Sequence, residues 1–344
     1  MKKKVSLKDI AQKVGVSIAL VSYVLNGKRE GTIGKEVSQK IKQAASDLNY
    51  RPNQVAKSLR TNKSNTIGLI VADISNPFFS NLARIIEDEA DKNGYTVIFG
   101  SSDEKADRSW KLMNTLLDRQ VDGFIITAAS NTEDHIRYLQ EHDIPFVLVD
   151  RYFPDIKTNY ISLDNYKAAY IATEYLAQSG YKRIGMVTYE SNLLNLEERQ
   201  RGYLDAIKTH ELAYKKSWLK QVLPDDGNIK STVEKAVHEL ISLPEPVDAI
   251  LFASNILALN GLKYIHALKM RIPDDIAIVN FDEMEAADLF YAPPTYIKQP
   301  LLEMGQTATR ILLENISKNN KITQINMDPE LVIRQPVFSF AGQE

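Results

Sequence analysis

The 344 residues include no cysteine. That excludes disulfides, thiol catalysis and cysteine-based zinc sites, and it suits a reducing cytoplasm. Phosphate-binding glycine loops are missing as well: the chain holds neither G-x-G-x-x-G nor G-x-x-x-x-G-K, and it lacks the G-x-S-x-G nucleophile elbow. The five histidines (His135, His142, His210, His238 and His266) fall in or beside helical segments, without the spacing of metal ligands. No run approaches the ~20 apolar residues of a membrane helix. The basic start, Met1 to Asp9, leads into a charged amphipathic stretch rather than an apolar core with a cleavage site, so no secretory signal is expected. Glycine and proline are sparse, at 15 and 13 residues, beside 44% hydrophobic and 25% charged residues, which is a globular composition. These absences argue against an enzyme, a metal or cofactor and a membrane partner. They favour a cytoplasmic binding protein of two or three domains.

What is present is uneven. The net charge of −2 conceals a basic head: residues 1–63 carry 14 Lys and Arg against 4 Asp and Glu, and the remainder carries 28 against 40. A compact basic head on an acidic body suggests a polyanion partner for the head alone, or merely a solubilising terminus.

The pattern within the head favours the polyanion. Ser6-Leu7-Lys8-Asp9 has capping-box spacing, and Leu7, Ile10, Ala11 and Val14 follow at helical spacing. Gly15 ends that helix and Ser17 is placed to cap the next. Two helices about three residues apart with a glycine between them predict a helix-turn-helix. In the second helix Leu20, Val21 and Val24 face inward. Ile18, Ala19, Ser22, Tyr23 and Asn26 form a short outward stripe that does not obstruct approach to base edges. A third helix is predicted over about 35–48. Pro52 then opens a segment of about eight residues, too short to stay helical alone in water.

Residues 5–60, VSLKDIAQKVGVSIALVSYVLNGK through YRPNQVAKSLR, resemble the head of the LacI/GalR family of bacterial regulators, and the body resembles that family too. The resemblance implies an all-α helix-turn-helix head at 1–50, a hinge helix and linker at 51–65, and a core at 66–344 of two doubly wound α/β lobes of the periplasmic-binding-protein type I kind. It places Ser17, Ile18, Ala19, Ser22, Tyr23 and Asn26 at the DNA major groove. Asn53, Ala56, Lys57 and Leu59 are placed at the minor groove, Leu59 wedging between base steps. It further implies a homodimer on a near-palindromic operator of double-stranded DNA, and control by a small polar effector, most simply a saccharide. Tyr23 stands where family members often carry arginine, so the bidentate contact of arginine with guanine is unavailable here.

From Thr66 the period changes. Strands are predicted at 67–71, 95–99, 123–127 and 146–149, alternating with helices at 79–92, 107–117 and 132–141. The alternation restarts at 161–163 and runs through strands at 184–187, 218–222, 249–252 and 276–279, with helices near 167–178, 197–208, 230–240 and 257–268. A helix at 301–314 and a strand at 330–334 close the chain. Such alternation implies parallel sheets covered on both faces, with a ligand cleft at the carboxyl ends of the strands. The lobe boundaries are set at about 66–160 plus 298–322 and about 161–297 plus 323–340, the shared tail being implied by the resemblance.

Polar residues gather where the strands end: Asp73 to Phe79, Asp150-Arg151, Ser254-Asn255 and Asp282-Glu283. Carboxylates and guanidinium groups bind vicinal hydroxyls in pairs, and aromatic rings cover a sugar's apolar face. The resemblance assigns Phe78, Phe79, Asp150, Arg199, Asn255 and Asp282 to effector contact. Each has a plainer reading: the aspartates as helix caps, the phenylalanines as core, Arg199 as a surface partner of Glu197 or Glu198. A solute-binding protein without a DNA role is the alternative for the body, and the basic head opposes it.

Overall fold

The structure, a computed structural model, describes residues 5–26, 32–50, 63–223, 228–284, 287, 292–317 and 321–334. The chain divides into two units, one up to Ser64 and one from Asn65.

In the first unit α1 (Leu7–Val14), α2 (Ile18–Leu25) and α3 (Lys35–Asp47) close on Ile10, Val21 and Ile41, each fully buried. Burying such side chains contributes ~1.5–3 kcal/mol apiece, which sustains a small core with little to spare. The turn is made as its residues dictate. Gly15 takes φ 74° and donates to the Ala11 carbonyl, and the Ser17 hydroxyl accepts from the amide of Leu20 at 3.2 Å. The amide of Ser6 donates to the Asp9 carboxylate at 2.8 Å, one half of the predicted capping box. The segment at 51–62, with the hinge residues Asn53, Ala56, Lys57 and Leu59, lies outside the described residues.

The second unit holds two six-stranded sheets. The first contains β1 (Thr66–Val71), β2 (Thr96–Ser101), β3 (Gly123–Ile126), β4 (Phe146–Val149), β5 (Tyr160–Leu163) and β11 (Gln324–Met327), in the order β11-β5-β4-β3-β1-β2, all parallel. The second contains β6 (Ile184–Tyr189), β7 (Leu219–Val222), β8 (Ala249–Phe252), β9 (Ala277–Phe281), β10 (Thr295–Lys298) and β12 (Glu330–Val332), in the order β12-β10-β9-β8-β6-β7. Only β12 runs antiparallel to its neighbour there. Helices α4 (Pro77–Lys92), α5 (Ala106–Asp118), α6 (Glu133–Glu141) and α11 (Leu301–Ile316) cover the first sheet. Helices α7 (Asn165–Gln178), α8 (Leu194–Thr209), α9 (Ile229–Ile241) and α10 (Asn255–Ala267) cover the second.

The lobe boundaries differ from the sequence-based ones. Strand 160–163 does not open the second lobe; it pairs with β4 and β11 in the first sheet. Residues 324–327, assigned to the second lobe, are the edge strand of the first, and Lys298 still belongs to β10 of the second. Strands β10 and β11 escape a periodicity reading for a physical reason. Each is four residues long; prolines flank β10 and polar residues alternate through the edge strand β11, so neither forms an apolar run. The chain therefore crosses between lobes three times, near Asp164, at Gln299-Pro300 and at Asp328. Two crossings touch: the amide of Asp164 donates to the Met327 carbonyl at 2.8 Å, and Lys167 meets Asp328 at 2.5 Å.

Candidate functional site: an exposed helix face and an interlobe cleft

On α2, Ser17, Ile18, Ala19 and Asn26 are exposed, Ile18 to 47%, while Ser22 and Tyr23 are half-buried. Ile18, Ala19, Ser22, Tyr23 and Asn26 lie on the side opposite Val21 and Val24, and Ser17 caps the helix start. Asn26 turns back on the helix, its Nδ2 donating to the Ser22 carbonyl at 2.7 Å.

In the body, the six candidate effector residues come from five strand ends and the helices that start there. Asp150 follows β4 with φ 70°, and Asp282 follows β9 with φ 67°. Left-handed backbone is uncommon for residues other than glycine, and aspartate tolerates it best. Neither aspartate caps a helix among the described residues. The capping role falls to Asp164, which accepts from the amide of Lys167 at 2.9 Å. Arg199 is only 4% exposed, on the inner face of α8. Its Nε donates to Asn165 Oδ1 at 2.8 Å, its Nη1 to the Ala253 carbonyl at 2.6 Å, and its guanidinium lies 3.9 Å from the Phe281 ring centroid. The surface pair with Glu198 is made by Arg201 instead.

Electrostatics binds this group together. Burial pushes the Asp150 carboxyl up to about 6; Arg151 and Arg199 pull it down, and Asp282 and Glu104 push it further up. Burial likewise raises Asp282, opposed by Arg199 and by a 2.7 Å hydrogen bond from Gln299. Burial lowers the pKa of Arg199, which the two aspartates counteract. The carboxylates and the guanidinium are therefore one coupled set at the interlobe boundary.

The candidates do not all share one hollow. Phe78, Asn255 and Asp282 line a cavity of about 770 Å³. Asp150 lines a separate polar one of about 50 Å³, with Asn165, Asn195 and Glu198, and Arg199 lines neither. Phe78 and Phe79 are both buried in the same core cluster and meet edge-to-face at 5.0 Å, with the Arg151 guanidinium 5.5 Å from the Phe79 ring centroid. Asn255 Nδ2 donates to Asn76 Oδ1 at 2.8 Å, a direct bond between lobes. Sequence reasoning assigned no site role to Asn76, Asn165 or Glu104. Asn76 had a visible sign as the cap before Pro77, and Asn165 had one beside Asp164. Glu104, which grips Arg151, had none, since a lone glutamate after a strand reads as surface.

Over residues 64–332 the chain matches the periplasmic binding proteins and sugar binding domain of the LacI family, and over 6–53 the bacterial regulatory proteins of the lacI family. The chain belongs to the LacI family. The ribose operon repressor of Halalkalibacterium halodurans is 32% identical, with 96% of each chain covered. The HTH-type transcriptional repressor PurR of Photobacterium profundum is 30% identical over 96% of this chain and 98% of its own. A crystal structure of the Lac repressor dimer bound to operator and the anti-inducer ONPF shares the fold, with TM-score 0.84 at 22% identity, covering 98% of this chain and all of that one. This LacI-family member is a DNA-binding transcriptional regulator controlled by a small-molecule effector. Among the described residues no helix is long and apolar enough to cross a membrane.

Proposed function

We propose that this LacI-family regulator is a cytoplasmic homodimeric repressor that releases or grips a near-palindromic operator in response to a sugar or sugar derivative bound between its lobes. The observation that carries the effector reading is the coupled set of Asp150, Arg199 and Asp282, with Asn255 beside it and Phe78 and Phe79 as the aromatic wall. Two carboxylates and an amide are suited to paired hydroxyls, and a ring to an apolar sugar face. On the head, Ser17, Ile18, Ala19, Ser22, Tyr23 and Asn26 read the major groove, with Ile18 and Ala19 touching thymine methyls. Asn53, Ala56, Lys57 and Leu59 serve the minor groove as the hinge. Dimerisation is supported by the outer strands β2 and β7, corresponding edges of the two sheets, which leave Ile98, Phe99 and Leu223 exposed, the last two to 59%. Its chemistry is binding, and no turnover of the effector is expected.

A thermal-shift screen of sugars, nucleosides and purines tests the reading, followed by operator binding with each hit. The expected result is stabilisation by a sugar that also changes operator affinity ~5–150-fold, the usual range of allosteric coupling. Stabilisation by a purine alone removes the sugar from the proposal.

A further inference from the structure

We propose that Glu104 makes the cleft selective for an uncharged effector by occupying the Arg151 guanidinium, which would otherwise hold an anion. The inference rests on the reading of the interlobe cleft as the effector site and narrows the class of ligand it takes.

An anionic ligand such as a phosphate ester needs uncommitted guanidinium or ammonium groups, or free amides at a helix N-terminus. At this cleft the two guanidinium groups and the starts of α4 and α10 are already engaged. Arg151, whose side chain is 12% exposed, is held fork to fork: Nη1 meets Glu104 Oε2 at 2.6 Å and Nη2 meets Oε1 at 2.7 Å. Its Nε faces Asp150 at 3.4 Å. The backbone is bent to bring Glu104 there, since Asp103 and Glu104 both lie in the left-handed region, at φ 48° and 57°. Successive residues in that conformation are uncommon outside glycine and are held only by their surroundings. Arg199 is spent on Asn165, the Ala253 carbonyl and the Phe281 ring.

Two of the helix starts are filled in the same way, whereas α8 begins at Leu194 without a side-chain cap. At α4, Asn76 Oδ1 takes the amide of Phe78 at 3.0 Å. At α10, Asn255 Oδ1 takes the amide of Ile256 and Ser254 Oγ that of Leu257. The cations at the cavity mouths are matched too: Arg137 with Asp134, Arg84 with Glu87 and Lys298 with Glu330. Apart from the Arg151 Nε, which faces Asp150 without a hydrogen bond, what remains unmatched accepts rather than donates. Asp150 has only the long contact with Arg151, and Gln299, which donates to Asp282, leaves its Oε1 without a partner. Such a site calls for hydroxyl or N–H donors and repels added negative charge.

The test is thermal unfolding of the full-length protein against unphosphorylated sugars, their phosphate esters, neutral nucleosides and inorganic phosphate. Only neutral members stabilise the wild type. Glu104→Gln, similar in size but uncharged, gains stabilisation by the phosphate ester and by inorganic phosphate, at an apparent affinity at least about tenfold higher. Glu104→Asp stays like the wild type. An ester that stabilises the wild type as well as its parent sugar overturns the inference and leaves the sugar reading standing. A neutral nucleoside as sole hit removes the sugar reading and leaves the inference standing. No hit at all overturns both. A folded Glu104→Gln protein indifferent to phosphate overturns the role of Glu104, and the wild-type comparison decides the ligand class if that variant does not fold.

Discussion

The two lobes place an aspartate at the same point of the same strand order, after β4 in one and β9 in the other. Each sits in left-handed backbone and donates its amide to the next strand, Asp150 to Ile161 at 2.8 Å and Asp282 to Ile297 at 2.9 Å. Their supply of donors then diverges. Asp282 receives Gln299 at 2.7 Å and faces Arg199, whereas Asp150 has Arg151 at 3.4 Å, and Glu104 draws that arginine away. A shared backbone position thus yields one carboxylate with its partners in place and another that lacks them. The second lobe is the pre-assembled half of the cleft, and the first lobe holds the group left wanting.

The arginines offer the strongest way to break this comparison. Arg199→Ala orphans Asn165 Oδ1 and the Ala253 carbonyl, forfeits the Phe281 contact and takes a cation from the field of two buried carboxylates, so it should cost ~3 kcal/mol of unfolding free energy, the scale for leaving buried polar groups unpaired. Arg151→Ala should cost about half that, because Glu104 remains partly solvated. Urea denaturation of both variants checks the order, and equal losses would mean the halves are built alike. Next comes pH. The Asp150 carboxyl stands at about 6 in the fold against ~3.9 unfolded, so the folded state binds the extra proton. Its stabilising contribution is complete below pH ~4 and is lost as pH rises through about 6, up to ~3 kcal/mol in all. Asp150→Asn should flatten that stretch of the stability curve, measured by calorimetry between pH 4 and 7. The smallest effect concerns helix contacts. A Cβ on Gly202 would overlap the Tyr166 carbonyl where α7 and α8 cross, and a backbone atom has nowhere to go. On Gly305 it would meet side chains alone, Ile85 at 2.6 Å and Leu82 at 3.4 Å. Gly202→Ala should lower stability by ~2 kcal/mol net of the helical preference of alanine, and Gly305→Ala should come out near neutral.

Much of this was legible in the residues. Strands such as Ile67–Val71 and Ile184–Val187 are unbroken apolar runs that only a buried parallel sheet accommodates. The turn between α1 and α2 was written in Gly15 and Ser17. Asp150, Arg199 and Asp282 could be named from resemblance, but their burial could not, because hydrophobicity patterns count charges as surface. Strands β10 and β11 stayed hidden for want of an apolar run, and with them the true lobe boundary. The Asn76–Asn255 bond joins residues 179 positions apart, a distance at which local pattern carries no information.

The three adjacent passages of chain near Asp164, Gln299-Pro300 and Asp328 set what the lobes are able to do. A single thread would let one lobe swivel in any direction; three threads, two of them hydrogen-bonded side by side, admit a swing about one axis and resist torsion about the others. A small molecule lodged at the strand ends, as proposed above, would thereby be converted into a directed mechanical stroke, because every other freedom has already been taken from the joint.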